Sequence, residues 1–160
     1  MFDNYTIRLA TVTDAPIIVH HRRAMFTDMG LADPNDPSGL DAMEATFAPY
    51  VTRALGNGSY RGWLAETDGG RVVAGGGLIV HEWPARPGNP SDPRRAYLLN
   101  VYTEPDHRKR GLARRIVTAI IAWCRAEGFK TVSLHASADG RALYESLGFE
   151  QTNEMRLKLK

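Results

Sequence analysis

The stretch RKRGLARR at residues 108–115 gathers basic side chains around a glycine at the start of an amphipathic run. From Gly111 onward the apolar residues Leu112, Ala113, Ile116, Val117, Ile120, Ile121 and Cys124 recur at helical spacing. The first-turn amides of such a helix have no intrahelical acceptor, and the positive end of its dipole lies there, so the turn attracts anions without any side chain. Glycine at the entrance lets a ligand come close to the backbone. Arg108, Lys109 and Arg110 surround the turn, and guanidinium forks match pairs of phosphate oxygens. Basic residues at this end of a helix carry the wrong sign for its dipole unless an anion lies between them. That mismatch favours a diphosphate site over a solvated charged face. The spacing fits neither a P-loop nor a dinucleotide-binding glycine fingerprint.

The elements that must position this turn can be read from pattern and punctuation. YTIRLAT at 5–11 reads as a strand, and Thr13 reads as the cap of a helix over 14–29, in which His21 falls on the apolar stripe as a packed side chain. Residues 40–55 have helical period, but Pro49 should split them into two short helices. YRGWLAE and RVVAGGGLIVHEW flank the turn at Asp68, Gly69 and Gly70 as a hairpin, with Gly75–Gly77 marking a bulge or a close backbone approach. The proline-rich stretch 84–95 is a long loop. Residues 96–103 form a buried strand, and the strand KTVSLHA should lie parallel to it across the basic helix. A short helix over DGRALYESLG and closing strands over 149–160 complete a mixed α/β fold. The expected architecture is one domain over residues 1–160, with a twisted mixed sheet of six to seven strands and about four helices.

The strand LLNVYT, the turn EPDHRKRGLA and the helix after them resemble motif A of the GNAT superfamily, the acetyl-CoA-dependent N-acetyltransferases. Arg108, Gly111 and Ala113 match its Arg/Gln-x-x-Gly-x-Gly/Ala signature. SADGRALYESLGF at 137–149 is similar to the second signature of that family, matched at Tyr144, Gly148 and Phe149, with Ser137 where an asparagine is common. The two motifs, in this order and with this order of elements, extend the resemblance over the chain from residue 5 to the C-terminus.

The resemblance implies acetyl-CoA as cosubstrate, without a metal. It places the pyrophosphate on the backbone of Arg108, Lys109, Arg110, Gly111, Leu112 and Ala113, and the pantetheine arm along Val101, Tyr102 and Thr103. Ser137 would touch the cofactor arm, Val101 would offer its N–H to the thioester carbonyl, and Tyr144 would be the general acid for the departing thiolate. Without the resemblance, Tyr144 reads as a core aromatic at the end of a short helix. Acetyl transfer to an amine also needs a base, because an amine of pKa about 10.4 is protonated at neutral pH. Relatives often carry a glutamate early in strand 96–103, where Tyr97 stands here. Glu82 is the first candidate base, with His81, Glu104 and His135 behind it, and His81 and Glu82 must point to opposite faces of their strand. Asn100 should face away from Val101. Trp83, Arg22, Arg23, Phe26 and Met155 are candidates for the acceptor side, where arginines would suit a carboxylate-bearing amine.

Composition narrows the alternatives. Lys and Arg number 20 against 18 Asp and Glu, so the chain is not the polycation that nucleic-acid coating requires. One cysteine and no apolar run of membrane length point to a reducing compartment, read as cytoplasmic, with no membrane partner. The expected partners are acetyl-CoA and an amine of a small molecule or a protein, with a homodimer possible through the closing strands. The competing reading is a non-catalytic acyl-CoA sensor on the same fold.

Overall fold

In the computed structural model, which describes residues 4–160, strand β1 (Tyr5–Leu9) leads through a turn of 3-10 helix into α1 (Ala15–Asp28). Thr11 and Asp14, rather than Thr13, close that entrance. The Asp14 carboxylate accepts the Thr11 backbone N–H at 2.7 Å and is held by Arg8 at 2.8 Å, which keeps its carboxyl below the usual carboxylate range. Helix α2 (Ser38–Asn57) is one continuous helix, not two. Pro49 lies inside it, and a helix-interior proline costs about 3 kcal/mol. Phe47 before the proline and Val51 and Ala54 after it are all buried, so both halves are pinned by the same packing surface.

The hairpin of β2 (Tyr60–Thr67) and β3 (Val72–Glu82) forms as its turn chemistry predicts, and β4 (Arg94–Thr103) follows the proline-rich loop. A turn of 3-10 helix then leads to α3 (Leu112–Ala126), β5 (Val132–Leu134) and α4 (Arg141–Ser146). The sheet has five strands in the order β1-β2-β3-β4-β5, antiparallel except for the last pair. The expected closing strands are absent: residues 149–160 form no strand. Met155, Leu157 and Leu159 do alternate with basic residues there, but they stay exposed, because alternation supplies a face and not a neighbouring strand.

Strand alternation divides the core between the two faces of the sheet. One face carries Trp63, Ala74, Leu78 and Leu98 against Leu112, Ile116, Val117 and Ile120 of α3. The other carries Tyr60 and Leu64 against Ile18 of α1 and Phe47 and Val51 of α2. The glycines of β3 permit both contacts. A Cβ at Gly76 would sit 2.7 Å from Ile116 Cγ2, and one at Gly77 would collide with the Tyr60 ring.

Candidate functional site

Two features of β4 create an opening in the sheet. Its pairing with β5 runs only from Ala96 opposite Val132 to Leu98 opposite Leu134, so Leu99 to Thr103 have no strand on that side. On the β3 side, Gly77 faces Leu99 and Gly75 faces Tyr102, which leaves Asn100 and Val101 opposite the single residue Gly76. This is a bulge in β4, and Asn100 takes φ 57° to form it. Bulges re-aim side chains. Asn100 is turned toward α1 and α2, where it donates to the Tyr60 hydroxyl at 3.0 Å and accepts from Arg22 at 2.5 Å. Val101 packs on the α3 face, beside Gly76 and Ile116, so the expected opposition of these two residues is present. Burial pushes the Tyr60 hydroxyl up to about 12, so Tyr60 serves as a neutral hydrogen-bonding group.

The open stretch of β4 runs directly into the basic turn. Lys109 has φ 60° and Gly111 has φ 77°, so two left-handed residues curl the backbone before α3. The Arg115 N–H is the first to find a helical acceptor, at the Gly111 carbonyl, and among the described residues no side chain caps the amides from Gly111 to Arg114. A Cβ at Gly111 would meet nothing within 4 Å, so the turn presents an open face. The residues therefore fit an anion held by backbone amides.

The basic side chains around this turn are not equivalent. Arg108 is drawn back onto the protein, where its Nε donates to the Thr103 carbonyl at 2.9 Å and its guanidinium pairs with Asp28 at the end of α1. Arg110 donates to the Asp106 carbonyl at 3.2 Å, Arg114 to Ser146 at 2.8 Å and Arg115 to the Tyr5 carbonyl at 2.7 Å. Lys109 projects from the turn into solvent. Leu112 is buried and Ala113 half-buried, so both turn from the site toward the core.

Tyr144 lies on α4, which follows β5 in the chain, and packs against the core on the α3 face of the sheet. Its ring packs edge-on against Phe149, and burial raises its hydroxyl above the ordinary tyrosine range. The hydroxyl has no hydrogen-bond partner among the described residues. The Ser137 hydroxyl accepts the Gly140 N–H at 3.1 Å and so organises the turn before α4.

The candidate bases separate clearly. Glu82 is exposed and stands opposite Arg94, at the far end of β4. Seven residues at roughly 3.3 Å each place it about 23 Å from Val101, so the structure does not bring the first candidate to the opening. His81 packs beside Trp83 at that same end. Glu104 is engaged by Arg71 and by the buried His21 at 3.5 Å, next to the anion turn. His135 follows Leu134, the last residue paired with β4, and its ring lies 5.4 Å from that of Tyr97. It alone of the four stands where the strands part. Both of its polar contacts fall on Nε2, which either donates to Glu154 at 3.1 Å or accepts from Arg156 according to tautomer, and Nδ1 has no partner among the described residues.

Of the residues expected on the acceptor side, Arg22 and Phe26 meet behind Asn100, with the Arg22 guanidinium 4.8 Å from the centre of the Phe26 ring. Arg23 is neutralised by Asp41 and Glu44 of α2. Trp83 and Met155 are exposed elsewhere. Phe47, Tyr50 and Arg53, which complete the wall opposite Arg22, carry no local signal in the sequence.

An unpaired strand edge that leads toward an open helix N-terminus has the shape and polarity to hold an extended ligand with an anionic end. The model of the Acetyltransferase (GNAT) family matches residues 23–149, and the chain belongs to that family. A GCN5-related N-acetyltransferase of Ralstonia eutropha JMP134 superposes with a TM-score of 0.87 at 34% identity, over 98% of this chain and 99% of its own. An acetyltransferase of Clostridium acetobutylicum solved with acetyl-CoA gives 0.84 at 25% identity, over 98% and 96%. An uncharacterized N-acetyltransferase of Escherichia coli strain K12 is 30% identical over 155 residues, which is 90% of this chain and 81% of that protein. The chain spans only 39% and 44% of the human and mouse N-acetyltransferases that it also matches. No helix among the described residues is long and apolar enough to cross a membrane.

Proposed function

We propose that this chain transfers an acetyl group from acetyl-CoA to a primary amine, directly and within a ternary complex. The observation that carries the reading is the continuity of the open β4 edge with the uncapped turn at Gly111. When bound, acetyl-CoA supplies an activated acetyl thioester. The amides from Gly111 to Ala113 hold its diphosphate, with Lys109 adding charge from outside. The stretch from Val101 to Thr103 hydrogen-bonds its extended arm as an added strand, and Ser137 flanks that arm.

The Val101 N–H polarises the thioester carbonyl. The amine nitrogen attacks the carbonyl carbon, so a C–N bond forms as the C–S bond breaks. Protons must leave the ammonium, one before attack and one as the amide forms, and one must reach the thiolate. His135 suits the first of these transfers in the tautomer whose Nε2–H is donated to Glu154, with Arg156 paired to Glu154 and Nδ1 left to accept. Tyr144 suits the last, because burial keeps its hydroxyl protonated across the neutral range.

The burial of the one cysteine supports direct transfer. Cys124 is buried in the α3 core and its thiol is pushed up to about 11, so it offers no nucleophile for an acyl-enzyme. Initial rates with both substrates varied should give intersecting double-reciprocal lines, and parallel lines would overturn direct transfer. Tyr144→Phe should lower kcat by about 10²-fold with acetyl-CoA affinity retained. Unchanged kcat would return Tyr144 to a packing role.

A further inference from the structure

On the Asn100 face of the sheet, α2 residues from Gly39 to Arg53 together with Arg22 of α1 line an open cavity of about 770 Å³, a size typical of small-molecule sites. Its wall includes Arg22, Met43, Phe47, Tyr50 and Arg53, and among the described residues no aspartate or glutamate. Arg22 is the unusual member. Its guanidinium is stacked between two aromatic rings, 4.8 Å from the centre of Phe26 and 4.8 Å from that of Phe47. One terminal nitrogen donates to Asn100, whereas Nε is buried with no hydrogen-bond partner. Among the described residues no carboxylate pairs with this cation.

A half-buried charge without a counter-charge is costly, and the two flanking rings and the Asn100 contact offset only part of that cost. With one terminal nitrogen committed to Asn100 and Nε shielded from solvent, the other terminal nitrogen is the guanidinium donor left to face a ligand. A charge-assisted bond from it suits a carboxylate oxygen. Arg53 adds a second cation in the same wall, beside the Tyr50 ring and without an acidic partner among the described residues. Phe47, Tyr50 and Met43 supply apolar surface between the two.

We infer that this cavity is the acceptor site and that it takes a primary amine bearing a carboxylate and an apolar body. The inference rests on the acetyltransferase reading above. Arg22 is then a specificity-determining residue. It binds the carboxylate one hydrogen bond away from Asn100, the residue before Val101, and so places the amine beside the opening in β4. The same two arginines disfavour polycationic amines such as amino sugars, whose charge they would repel.

The test uses the full chain with phenylalanine, phenylalaninamide and a polycationic amino sugar as probes. Calorimetry should show phenylalanine binding about tenfold or more tighter than its amide, as expected of a charge-assisted pair, and thiol release from acetyl-CoA should follow the same order. Arg22→Gln should abolish that difference while acetyl-CoA still binds. Because Arg22 also braces Asn100, Arg53→Gln provides a second variant remote from β4, with a smaller loss of preference for phenylalanine. Equal use of the amide, preference for the amino sugar, or a preference unchanged in both variants would overturn the cavity assignment. Failure of the wild-type chain to bind acetyl-CoA at all would overturn the acetyltransferase reading itself, a result distinct from acetyl transfer to the wrong amine.

Discussion

The turn at Gly111 and the cavity at Arg22 are both suited to an anion, yet they are built in opposite ways. The turn is backbone: two left-handed residues and uncapped amides, with most neighbouring arginines drawn onto the protein. The cavity is side chain: a guanidinium held between aromatic rings from two helices and bonded to a strand bulge. A backbone site is indifferent to which basic residues surround it and sensitive to conformation. A side-chain site depends on one particular group. The division suits an enzyme with an invariant cosubstrate on one side and an acceptor to be selected on the other.

The contrast can be broken most severely at Gly111. Gly111→Val forces a β-branched residue into the left-handed region, at about 1–2 kcal/mol, and disturbs the amides proposed to hold the diphosphate, at a similar cost. Acetyl-CoA affinity measured by calorimetry should fall by about 10²-fold. The fold should survive, since the added side chain points into open space. An unchanged affinity would move the diphosphate elsewhere.

Arg108→Ala sharpens the same point with a smaller effect. Its guanidinium already serves Asp28 and the Thr103 carbonyl, so its loss should cost less than about tenfold in affinity, in line with exposed ion pairs. A loss as large as that of Gly111→Val would show that side-chain charge, not the amide turn, holds the cosubstrate.

The smallest effect is expected at His21, which links the two regions beneath the end of β4 through Glu104 and Tyr102. Burial lowers its pKa, with Glu104 opposing. The unfolded chain, near the ordinary value of about 6.5, therefore takes up a proton before the native state does. This contribution to stability is complete above about pH 6.5 and is lost as the pH falls toward the native value. Melting temperatures recorded between neutral and mildly acidic pH should decline for the wild type and decline less for His21→Gln. Identical slopes would remove His21 from the acid response.

The same contrast governs how much could be read from sequence. Helix α3, its glycine entrance and the parallel pair β4–β5 were legible because period, punctuation and connection rules are local or nearly so. His21 was rightly a packed residue, and Gly76 and Gly77 marked close approaches. The continuity of α2 through Pro49 was not legible, since it depends on a core formed by Tyr60 and Leu64, distant in sequence. Residues 149–160 misled in the other direction, by alternating without a strand to pair with. Glu82 failed as a base for a geometric reason: its register with Arg94 puts it at the wrong end of β4. Arg22 and Phe26 lie one helical turn apart, but the second ring, Phe47, comes from another helix, so the cation's enclosure becomes visible only in three dimensions.

Acetyl transfer to an amine is tested most directly by product stoichiometry. The full chain, incubated with acetyl-CoA and a panel of primary amines, should release free thiol and form N-acetylated amine in equal yield. Acetyl-CoA that stays bound and intact in the presence of every amine would contradict it, and would leave the fold as an acyl-CoA sensor.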